Sequence, residues 1–420
     1  MNDVSCGHEA PRAPREPPAW SGWAVFAGGL IATLLFAMLA SSILQRRHEA
    51  QQQLPTVPIA DHEPDSSRWR LNYPRQYDSY RRMSDDTTLT SYGGGQPRDY
   101  LAETPANVLL FAGYGFAKDY RQARGHVWSV QDVTSTQRLT PRTTASCWAC
   151  KSPDVLRLMA QMGLETFYAM PFAALREQVT HAIGCADCHD SSTMRLRVTR
   201  PALREAWQRL HKRDIDEASH QEMRSLVCAQ CHAEYYFKGQ GNYLTFPWDQ
   251  GTQIEQIENY YDQQGFSDWT HAVSGTRLIK IQHPDYELYL TGIHAYRNIS
   301  CADCHMPYRT EGGMKFTDHH VQSPLLNIAN SCAVCHRWSE AEIRDRASKI
   351  QDKVREGRER AERSLAQAHL DIAAAVQAGA TDQELQPARD LLRKAQTRWD
   401  FVAASNSMGF HAPQECLRIL

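Results

Sequence analysis

Five cysteine pairs share one spacing and are the groups of this 420-residue chain best suited to chemistry. Two thiols three positions apart, followed directly by histidine, are typical of c-type haem attachment, in which the thiols hold the porphyrin and the histidine binds the iron. One pair differs, because Cys147 and Cys150 are followed by Lys151. The sequence therefore predicts five haems, one of them with an amine ligand. The other four motifs end in histidine: Cys185, Cys188 and His189; Cys228, Cys231 and His232; Cys301, Cys304 and His305; Cys332, Cys335 and His336.

Lysine in place of histidine indicates that the haem at Cys147 and Cys150 differs in function from the others. An ammonium group has no free electron pair, and removing its proton at neutral pH costs about 4–5 kcal/mol for an ordinary lysine. A simple relay would gain nothing from that cost, so we interpret Lys151 as the mark of the haem where catalysis occurs. The alternatives are a degenerate site without haem and a zinc site. Structural zinc favours C-x-x-C pairs about 15–20 residues apart, and the pairs here are more widely separated.

Charge and cysteine usage exclude some partners. The formal net charge is −2 and no long basic run occurs, so nucleic acid is not an expected partner. Cys6 and Cys416 remain outside the five motifs and lie on opposite sides of an apolar segment. No disulfide framework is therefore expected.

An apolar segment near the N-terminus predicts a membrane helix. Residues 23–44 carry no charged side chain, and a helix of that length crosses a hydrocarbon core of about 30 Å. We expect an uncleaved anchor or signal-anchor over residues 21–45, after a cytoplasmic tail over residues 1–20. The alternative is a cleaved signal peptide and a soluble periplasmic protein. Because haem is attached to thiols outside the cytoplasm, the rest of the chain is expected on the periplasmic (extracytoplasmic) face of the inner membrane.

The remaining chain divides by composition. Residues 46–99 are polar and loop-like, with three consecutive glycines at 93–95, and predict a tether. Residues 100–338 contain all five motifs among short helices and long loops, and predict a pentahaem catalytic domain. The expected fold class is mostly α, a multihaem cytochrome c in which the haems form much of the core.

Residues 339–420 predict two long helices and one haem ligand. Ser339 with Glu342, and Thr381 with Glu384, have the spacing of capping boxes, so the first helix should begin at Ser339 and end near Gly379. Apolar residues in the first helix recur at spacings of seven and four, a repeat of about 3.67 residues per turn that stays on one face. We interpret this stripe as a seam for a partner helix and predict a homodimer. The stripe consists of Ile343, Ile350, Val354, Ala361, Leu365, Ile372 and Val376.

The four histidine-terminated sites need a second ligand if they are electron relays. A second histidine closes the iron to substrate. The chain has 18 histidines, and the candidates outside the motifs are those in loops near apolar segments: His126, His294, His319 and His411.

Several stretches outside the bare cysteine spacing carry a family pattern. They are Cys147–Pro153, Cys231–Phe237, Phe266–Trp269, Lys280–Pro284, Thr317–His319 and His411–Pro413. In these stretches and in the order of its motifs, the chain resembles the pentahaem cytochrome c nitrite reductases that form ammonia, over about residues 100–415. The short loop 139–150 and the membrane segment depart from the family pattern.

The resemblance implies the second ligand of each relay haem. His126 would serve the haem at Cys228 and Cys231, His319 the haem at Cys185 and Cys188, His411 the haem at Cys301 and Cys304, and His294 the haem at Cys332 and Cys335. His320 is the neighbouring alternative to His319, and the Thr-Asp-His register favours His319.

The resemblance also implies an active site around the lysine haem. Arg138, Tyr235 and His283 would lie over its open face, opposite the ligand Lys151. Arg138 would supply fixed charge and donors for an anion, Tyr235 a weakly acidic hydroxyl, and His283 a protonated ring beside the anion.

A calcium ion is implied next to this site. Its ligands would be the Glu234 carboxylate, the carbonyl oxygens of Tyr235 and Lys280, and the side-chain oxygen of Gln282. All are oxygen donors, as a hard cation requires.

The implied function is the six-electron reduction of nitrite to ammonium. The expected electron donor is a quinol-oxidising multihaem membrane cytochrome or a small periplasmic cytochrome. The alternatives are sulfite or hydroxylamine as the main substrate of the same site, and a multihaem cytochrome that only transfers electrons.

Overall fold

A computed structural model of the chain describes residue 18, residues 20–51 and residues 57–420. The described chain falls into two compact units, Met1–Pro55 and Thr56–Leu420. Most of the predicted cytoplasmic tail, including Cys6, lies outside the described residues.

Helices dominate the described residues. The α-helices are α1 Trp20–Gln51, α2 Ser66–Trp69, α3 Pro74–Arg81, α4 Tyr100–Glu103, α5 Ala106–Leu110, α6 Ser129–Ser135, α7 Asp154–Met162, α8 Leu164–Ala169, α9 Cys185–Cys188, α10 Pro201–His211, α11 His220–Ala229, α12 Ile254–Gln263, α13 Asp285–Leu290, α14 Ile293–Tyr296, α15 Cys301–His305, α16 Glu340–Gln377, α17 Asp382–Ala403 and α18 Pro413–Ile419. Short 3-10 helices span Arg82–Ser84, Gly115–Ala117, His126–Trp128, Ala145–Trp148, Phe172–Leu175, Ile215–Glu217, Pro324–Leu326 and Cys332–Val334.

The strands are short and pair only with their neighbours in sequence. They are β1 Leu89–Thr90, β2 Gly93–Gly94, β3 Tyr236–Lys238, β4 Tyr243–Thr245, β5 Trp269–Thr270, β6 Arg277–Leu278, β7 Tyr308–Glu311 and β8 Met314–Thr317. Each consecutive pair forms an antiparallel hairpin, with Tyr236 opposite Thr245 and Tyr308 opposite Thr317. Gly312 and Gly313 both have positive φ, as a tight turn between β7 and β8 requires. The mostly α class predicted from the sequence is confirmed.

The N-terminal helix has the properties of a membrane span. Residues Trp20–Arg46 of α1 have a mean hydropathy of 2.1 in their most apolar window, and none of that window is buried. By length and composition this helix could cross a membrane, in agreement with the segment predicted at 21–45.

Among the described residues, the apolar core forms separate clusters, and two of them include motif cysteines. The largest surrounds Cys147 and Cys150 and includes the fully buried side chains of Trp148, Phe167 and Phe246. Trp148 stacks on Phe172 at a ring separation of 4.1 Å and donates from its indole nitrogen to the Phe172 carbonyl at 3.0 Å. These contacts fix the 3-10 helix that precedes Lys151.

The two long C-terminal helices begin as predicted. Ser339 and Thr381 each accept a hydrogen bond from the backbone nitrogen three residues later, and Glu342 and Glu384 bond back to them. Helix α16 ends at Gln377, two residues before Gly379, which has a positive φ of 94°. Local capping chemistry therefore determines these helix ends.

The apolar stripe of α16 is covered by the same chain, and its interpretation as a seam for a partner helix is wrong. Leu365 and Ile372 are buried against α5 and α17, in a cluster with Phe111 and Trp399. Val354 is fully buried in a second cluster with Phe401. Only the last member of the stripe, Val376, is exposed. The periodicity indicates which face is apolar, but the packing of α5, α17 and α18 decides what covers it.

The predicted tether is folded from residue 57 onward, so the loop-like assignment of 46–99 is wrong for that part. Residues 57–99 contain α2, α3 and the β1–β2 hairpin. Trp69 and Tyr73 are buried in a small cluster with Ala186 of α9. We call residues 57–86 the N-terminal arm.

Candidate haem and active sites

One cavity of about 3100 Å³ runs through the unit Thr56–Leu420. Protein interiors are normally close-packed, so a cavity of this size, lined by thiols and imidazoles, fits large covalently attached prosthetic groups. The ten cysteines of the five motifs all line it, as do Lys151, the four motif histidines and the four predicted second ligands: Cys147, Cys150, Cys185, Cys188, Cys228, Cys231, Cys301, Cys304, Cys332, Cys335, His189, His232, His305, His336, His126, His294, His319 and His411.

The structure brings together each predicted histidine pair. Ring centres are 6.3 Å apart for His126 and His232, 6.1 Å for His189 and His319, 6.2 Å for His305 and His411, and 6.4 Å for His294 and His336. Two imidazoles on opposite sides of one metal ion, with bonds of about 2 Å each, require a separation of about this size. The four pairs can each hold an iron between them.

In three of these rings, Nδ1 is hydrogen-bonded to a backbone carbonyl. This bond determines which ring nitrogen is free to bind a metal. The Nδ1 atoms donate to the carbonyls of Met194 from His189 at 2.9 Å, of Gln322 from His305 at 2.9 Å, and of Thr317 from His319 at 2.8 Å. A carbonyl can only accept, so the proton lies on Nδ1 and Nε2 is free to bind a metal.

The geometry distinguishes His319 from His320. His319 faces His189, whereas Nε2 of His320 lies 3.1 Å from the Asp86 carboxylate of the N-terminal arm. The ring of His320 thus faces a carboxylate, and the ring of His319 faces His189 across the cavity.

Contacts between cysteines of different motifs show which attachment sites are neighbours in space. Cys150 lies within hydrogen-bonding reach of Cys231, and Cys228 within reach of Cys301. The Cys188 sulfur acts electrostatically on both Cys228 and Cys231. The site at Cys228 and Cys231 therefore adjoins three others, including the lysine site.

Arg138, Tyr235 and His283 line the same cavity as Lys151. Arg138 donates from Nε to the Thr136 hydroxyl at 3.1 Å, and its guanidinium lies 4.2 Å from the centre of the Phe116 ring. The charge of Arg138 acts on Tyr235. The predicted active-site residues thus line one part of the chain's interior with Lys151.

His283 differs from the sequence expectation in its charge state. Burial lowers the pKa of His283 to about 3, so its ring is neutral in the protein without a bound anion. Its Nδ1 is buried without a hydrogen-bond partner among the described residues. Burial also raises the pKa of Tyr235 well above its usual value, which keeps its hydroxyl protonated. Both groups can therefore donate a hydrogen bond to a substrate oxygen.

The predicted calcium ligands lie together beside this site. Glu234 is fully buried, and its carboxylate accepts from the Gln282 backbone nitrogen at 2.6 Å and from the Tyr261 hydroxyl at 2.8 Å. The Gln282 side-chain amide lies 2.9 Å from the Lys280 carbonyl. Amide nitrogen and oxygen can exchange places by rotation, so this amide can turn its oxygen toward a cation.

The charge of this donor set fits a cation as well. Burial raises the pKa of Glu234 well above its usual value, which means that the carboxylate lacks a neighbouring positive charge sufficient to keep it ionised. A bound cation would supply that charge. The described residues contain no group of three or more His, Cys, Asp or Glu side chains able to hold a metal, as expected for a set with one carboxylate and otherwise neutral oxygens.

No sequence pattern indicates several of the residues that support the site. Asp285 lies 3.4 Å from Nδ1 of His232, and the Thr136 hydroxyl holds Arg138. Ser79 accepts a hydrogen bond from the His319 backbone nitrogen. Each acts through a contact between distant or unpatterned positions, and only the proximity of Asp285 to His283 in sequence could have drawn attention to it.

Covalent thiol sites, paired imidazoles and a shared cavity define a multihaem c-type cytochrome. The sequence profile of the cytochrome c552 family matches residues 65–420. The protein named cytochrome c-552 of Parabacteroides distasonis is 46% identical over 411 residues, covering 96% of this chain and 83% of the relative, and that of Porphyromonas gingivalis is 45% identical over 416 residues, covering 97% and 83%. The chain belongs to the cytochrome c552 family.

A solved structure shares the fold. The catalytic subunit of the cytochrome c nitrite reductase of Desulfovibrio desulfuricans, a protein with two calcium sites, superimposes with a TM-score of 0.82 at 32% identity. The match covers 86% of this chain and 84% of that subunit.

Proposed function

We propose that this protein is an ammonia-forming cytochrome c nitrite reductase with five covalently bound haems. The observation that carries the proposal is the difference between its sites. Four motif histidines each face a second histidine about 6 Å away, as two metal–imidazole bonds require, whereas Lys151 is accompanied by Arg138, Tyr235 and His283 in the cavity. Reduction of nitrite to ammonium consumes six electrons and eight protons and releases two waters. Bound haem would supply the electrons and an iron that accepts the nitrogen of the anion.

The protein residues at this site bind and orient the anion. Arg138 presents its terminal nitrogens, which donate to no group among the described residues, as a forked donor for the two oxygens. Tyr235 and His283, both in their proton-bearing neutral forms, add donors that stabilise negative charge on those oxygens as bonds break. Protons must then be replaced from the solvent through the cavity.

The other haem ligands follow from the paired rings. We assign His126, His319, His411 and His294 as the second ligands facing His232, His189, His305 and His336, respectively. Each assignment is supported by a ring separation between 6.1 and 6.4 Å.

Calcium is proposed at Glu234, Tyr235, Lys280 and Gln282. The buried carboxylate and the adjacent carbonyl and amide oxygens support it, and the Desulfovibrio relative has calcium sites. Because the set contains residues adjacent to Tyr235 and His283, the ion would hold both in position. Removal of calcium by a chelator should lower nitrite reduction, and its return should restore activity.

The test of the function is the haem-loaded protein assayed with nitrite, hydroxylamine and sulfite in parallel. Ammonium formation fastest from nitrite is expected, together with a new paramagnetic species when nitrite is added. Spectra with only low-spin iron and no response to nitrite would identify an electron carrier instead.

The Lys151→His variant should keep five haems and near-normal nitrite binding but form ammonium much more slowly, since imidazole is a weaker σ-donor than an amine. Full activity of that variant would contradict the assignment of the catalytic haem.

The N-terminal helix supports a proposal for the location of the protein. We propose that α1 anchors the protein and places the haem unit on the periplasmic face of the inner membrane, where a quinol-oxidising multihaem cytochrome or a small periplasmic cytochrome reduces it. The apolar, unburied span Trp20–Arg46 supports this proposal. The chain should remain in the membrane fraction after high-salt washing and should be digested by protease added to spheroplasts.

A homodimer is proposed through a different surface from the predicted stripe. Leu370 on α16 and Leu391 on α17 are exposed, at 48% and 71% of their surface. Replacement of both by Asp should convert a dimer to a monomer in sedimentation without loss of haem. An unchanged mass would place the contact elsewhere or exclude it.

A further inference from the structure

The proximal ring of one relay site faces a charged group. Nδ1 of His232 lies 3.4 Å from Oδ2 of Asp285, whose side chain is 10% exposed. His189 and His305 donate from Nδ1 to neutral backbone carbonyls instead. Among the motif histidines with an Nδ1 partner in the described chain, only His232 faces a carboxylate.

The position of Asp285 is fixed by its neighbours. The backbone nitrogen of Asn406 donates to Oδ1 and the side-chain amide of Asn406 donates to Oδ2, both at 2.8 Å. The backbone nitrogen of Asp285 donates to the His283 carbonyl at 2.8 Å. A buried carboxylate held in this way is little screened by water, so its charge acts strongly on the adjacent ring.

The haem site beside Asp285 is the one that adjoins three other attachment sites. Its cysteines, Cys228 and Cys231, contact the attachment sites at Cys301 and Cys150, and Cys188 acts on both. Electrons that reach the Lys151 site from the other haems therefore pass this position.

We propose that Asp285 tunes the reduction potential of the haem at Cys228 and Cys231 through His232. A carboxylate on the outer N–H of a metal-bound imidazole raises the basicity of the ring. A more basic ligand stabilises oxidised iron relative to reduced iron, so the carboxylate lowers the reduction potential of this haem and favours onward transfer of its electron. The tuning itself rests on haem attachment, whereas its role in electron supply to Lys151 rests on the proposed function.

The test compares three variants of the haem-loaded full chain by spectroelectrochemical titration. Asp285→Asn keeps the shape of the side chain and removes its charge, so one of the five reduction steps should shift to a more positive potential. Asn406→Ala removes an amide donor from the same carboxylate and leaves more of its charge on His232, so the same step should shift to a more negative potential. Glu258→Gln is the matched control, because Glu258 is a buried carboxylate bonded to Arg398, away from the cavity and not to a histidine, and it should leave all five steps in place.

The sign of the two shifts separates tuning from a structural role. A loosened ring would move the step in the same direction in both Asp285→Asn and Asn406→Ala, and that result would overturn the proposal, as would an Asp285→Asn titration identical to that of the native protein. If Asp285→Asn fails to take up five haems, the negative shift in Asn406→Ala still tests the proposal, and its absence contradicts it. The titration contains no nitrite, so the expected shifts without ammonium formation would support the tuning and contradict the proposed function.

Discussion

Arg138 is held from two sides in a way that leaves its outer nitrogens available. Its Nε donates to the Thr136 hydroxyl, and the Thr136 hydroxyl donates to the Asp119 carboxylate at 2.6 Å. Because the hydroxyl proton is used on Asp119, only lone pairs face the arginine. The Phe116 ring covers the guanidinium plane at 4.2 Å. The residue is thus oriented before any anion binds, which reduces the entropy lost on binding.

Arg138→Lys should weaken nitrite binding although it keeps the positive charge. A lysine ammonium lacks the planar fork that contacts both oxygens, so KM for nitrite should rise by roughly tenfold, equivalent to about 1.4 kcal/mol. Steady-state kinetics over a range of nitrite concentrations measures this change. Thr136→Val, which keeps the guanidinium and removes its Nε acceptor together with the hydroxyl bond to Asp119, should raise KM less. A KM unchanged in Arg138→Lys would argue that the arginine does not touch the substrate.

Among single residues, the sequence predicted those that we propose to bind haem or calcium, and missed those that position them. Cys-x-x-Cys-His occupies five consecutive positions, so the attachment sites can be identified from the sequence without knowledge of the fold. The choice of His319 over His320 depends on which ring faces His189, and the contact of His320 with Asp86 confirms that the two adjacent histidines have different partners. Asp285 has no pattern at all, because its partner His232 is 53 residues away.

The N-terminal arm joins two chain segments that flank one haem site. The Ser66 hydroxyl accepts from the Cys185 backbone nitrogen at 3.3 Å, and the Tyr80 hydroxyl donates to the Ile183 carbonyl at 2.9 Å. On the other side, the Ser79 hydroxyl accepts from the His319 backbone nitrogen at 2.9 Å. The arm therefore holds both the attachment motif and the proposed second ligand of the same haem.

Ser79→Ala should loosen His319 without preventing haem attachment. Ser79 is 1% exposed, and the lost hydroxyl leaves the partly buried N–H of His319 unpaired, at a cost of about 1 kcal/mol. We expect five haems, a lower melting temperature and a changed low-spin paramagnetic signal from one haem. Ser84→Ala is the control in the same arm, because the Ser84 hydroxyl donates only locally, to the Arg81 carbonyl and Asp85. Equal effects of the two substitutions would exclude a specific contact with the ligand loop.

Elements were predictable where local chemistry defines them. Helices α16 and α17 begin at capping boxes that lie within four consecutive residues, so their N-termini follow from sequence alone. The arm was assigned as a tether because its polar composition hides the few apolar residues, such as Trp69, that pack against α9. Its order depends on contacts with positions more than 100 residues away, as between Tyr80 and Ile183.

On the scale of the whole molecule, a buried pair of histidines connects α16 and α17 to the part of the chain that carries the cysteine motifs. The rings of His271 and His369 stack at 3.7 Å, and Nε2 of His369 donates to the side-chain oxygen of Gln396 at 2.7 Å. The Gln396 amide nitrogen donates to the Leu110 carbonyl, so its oxygen must be the atom that accepts from His369. Nδ1 of His369 lies 2.8 Å from the hydroxyl of Ser274, which donates to the Thr276 hydroxyl at 2.9 Å. The His369 ring is fully buried, and burial disfavours its charged form.

The stability of this junction should therefore decrease in mild acid. Burial lowers the pKa of His369 to about 4, whereas an unfolded histidine titrates near 6.5. Above pH 6.5 neither state binds the proton, and between 6.5 and 4 the unfolded chain binds it first, so the free energy of unfolding falls across this window by on the order of 2–3 kcal/mol. Denaturant unfolding followed by circular dichroism at pH 7 and pH 5 measures the change. His369→Gln can donate to Gln396 without titrating, so its unfolding free energy should depend less on pH, whereas the same pH dependence in both proteins would show that His369 does not carry the effect.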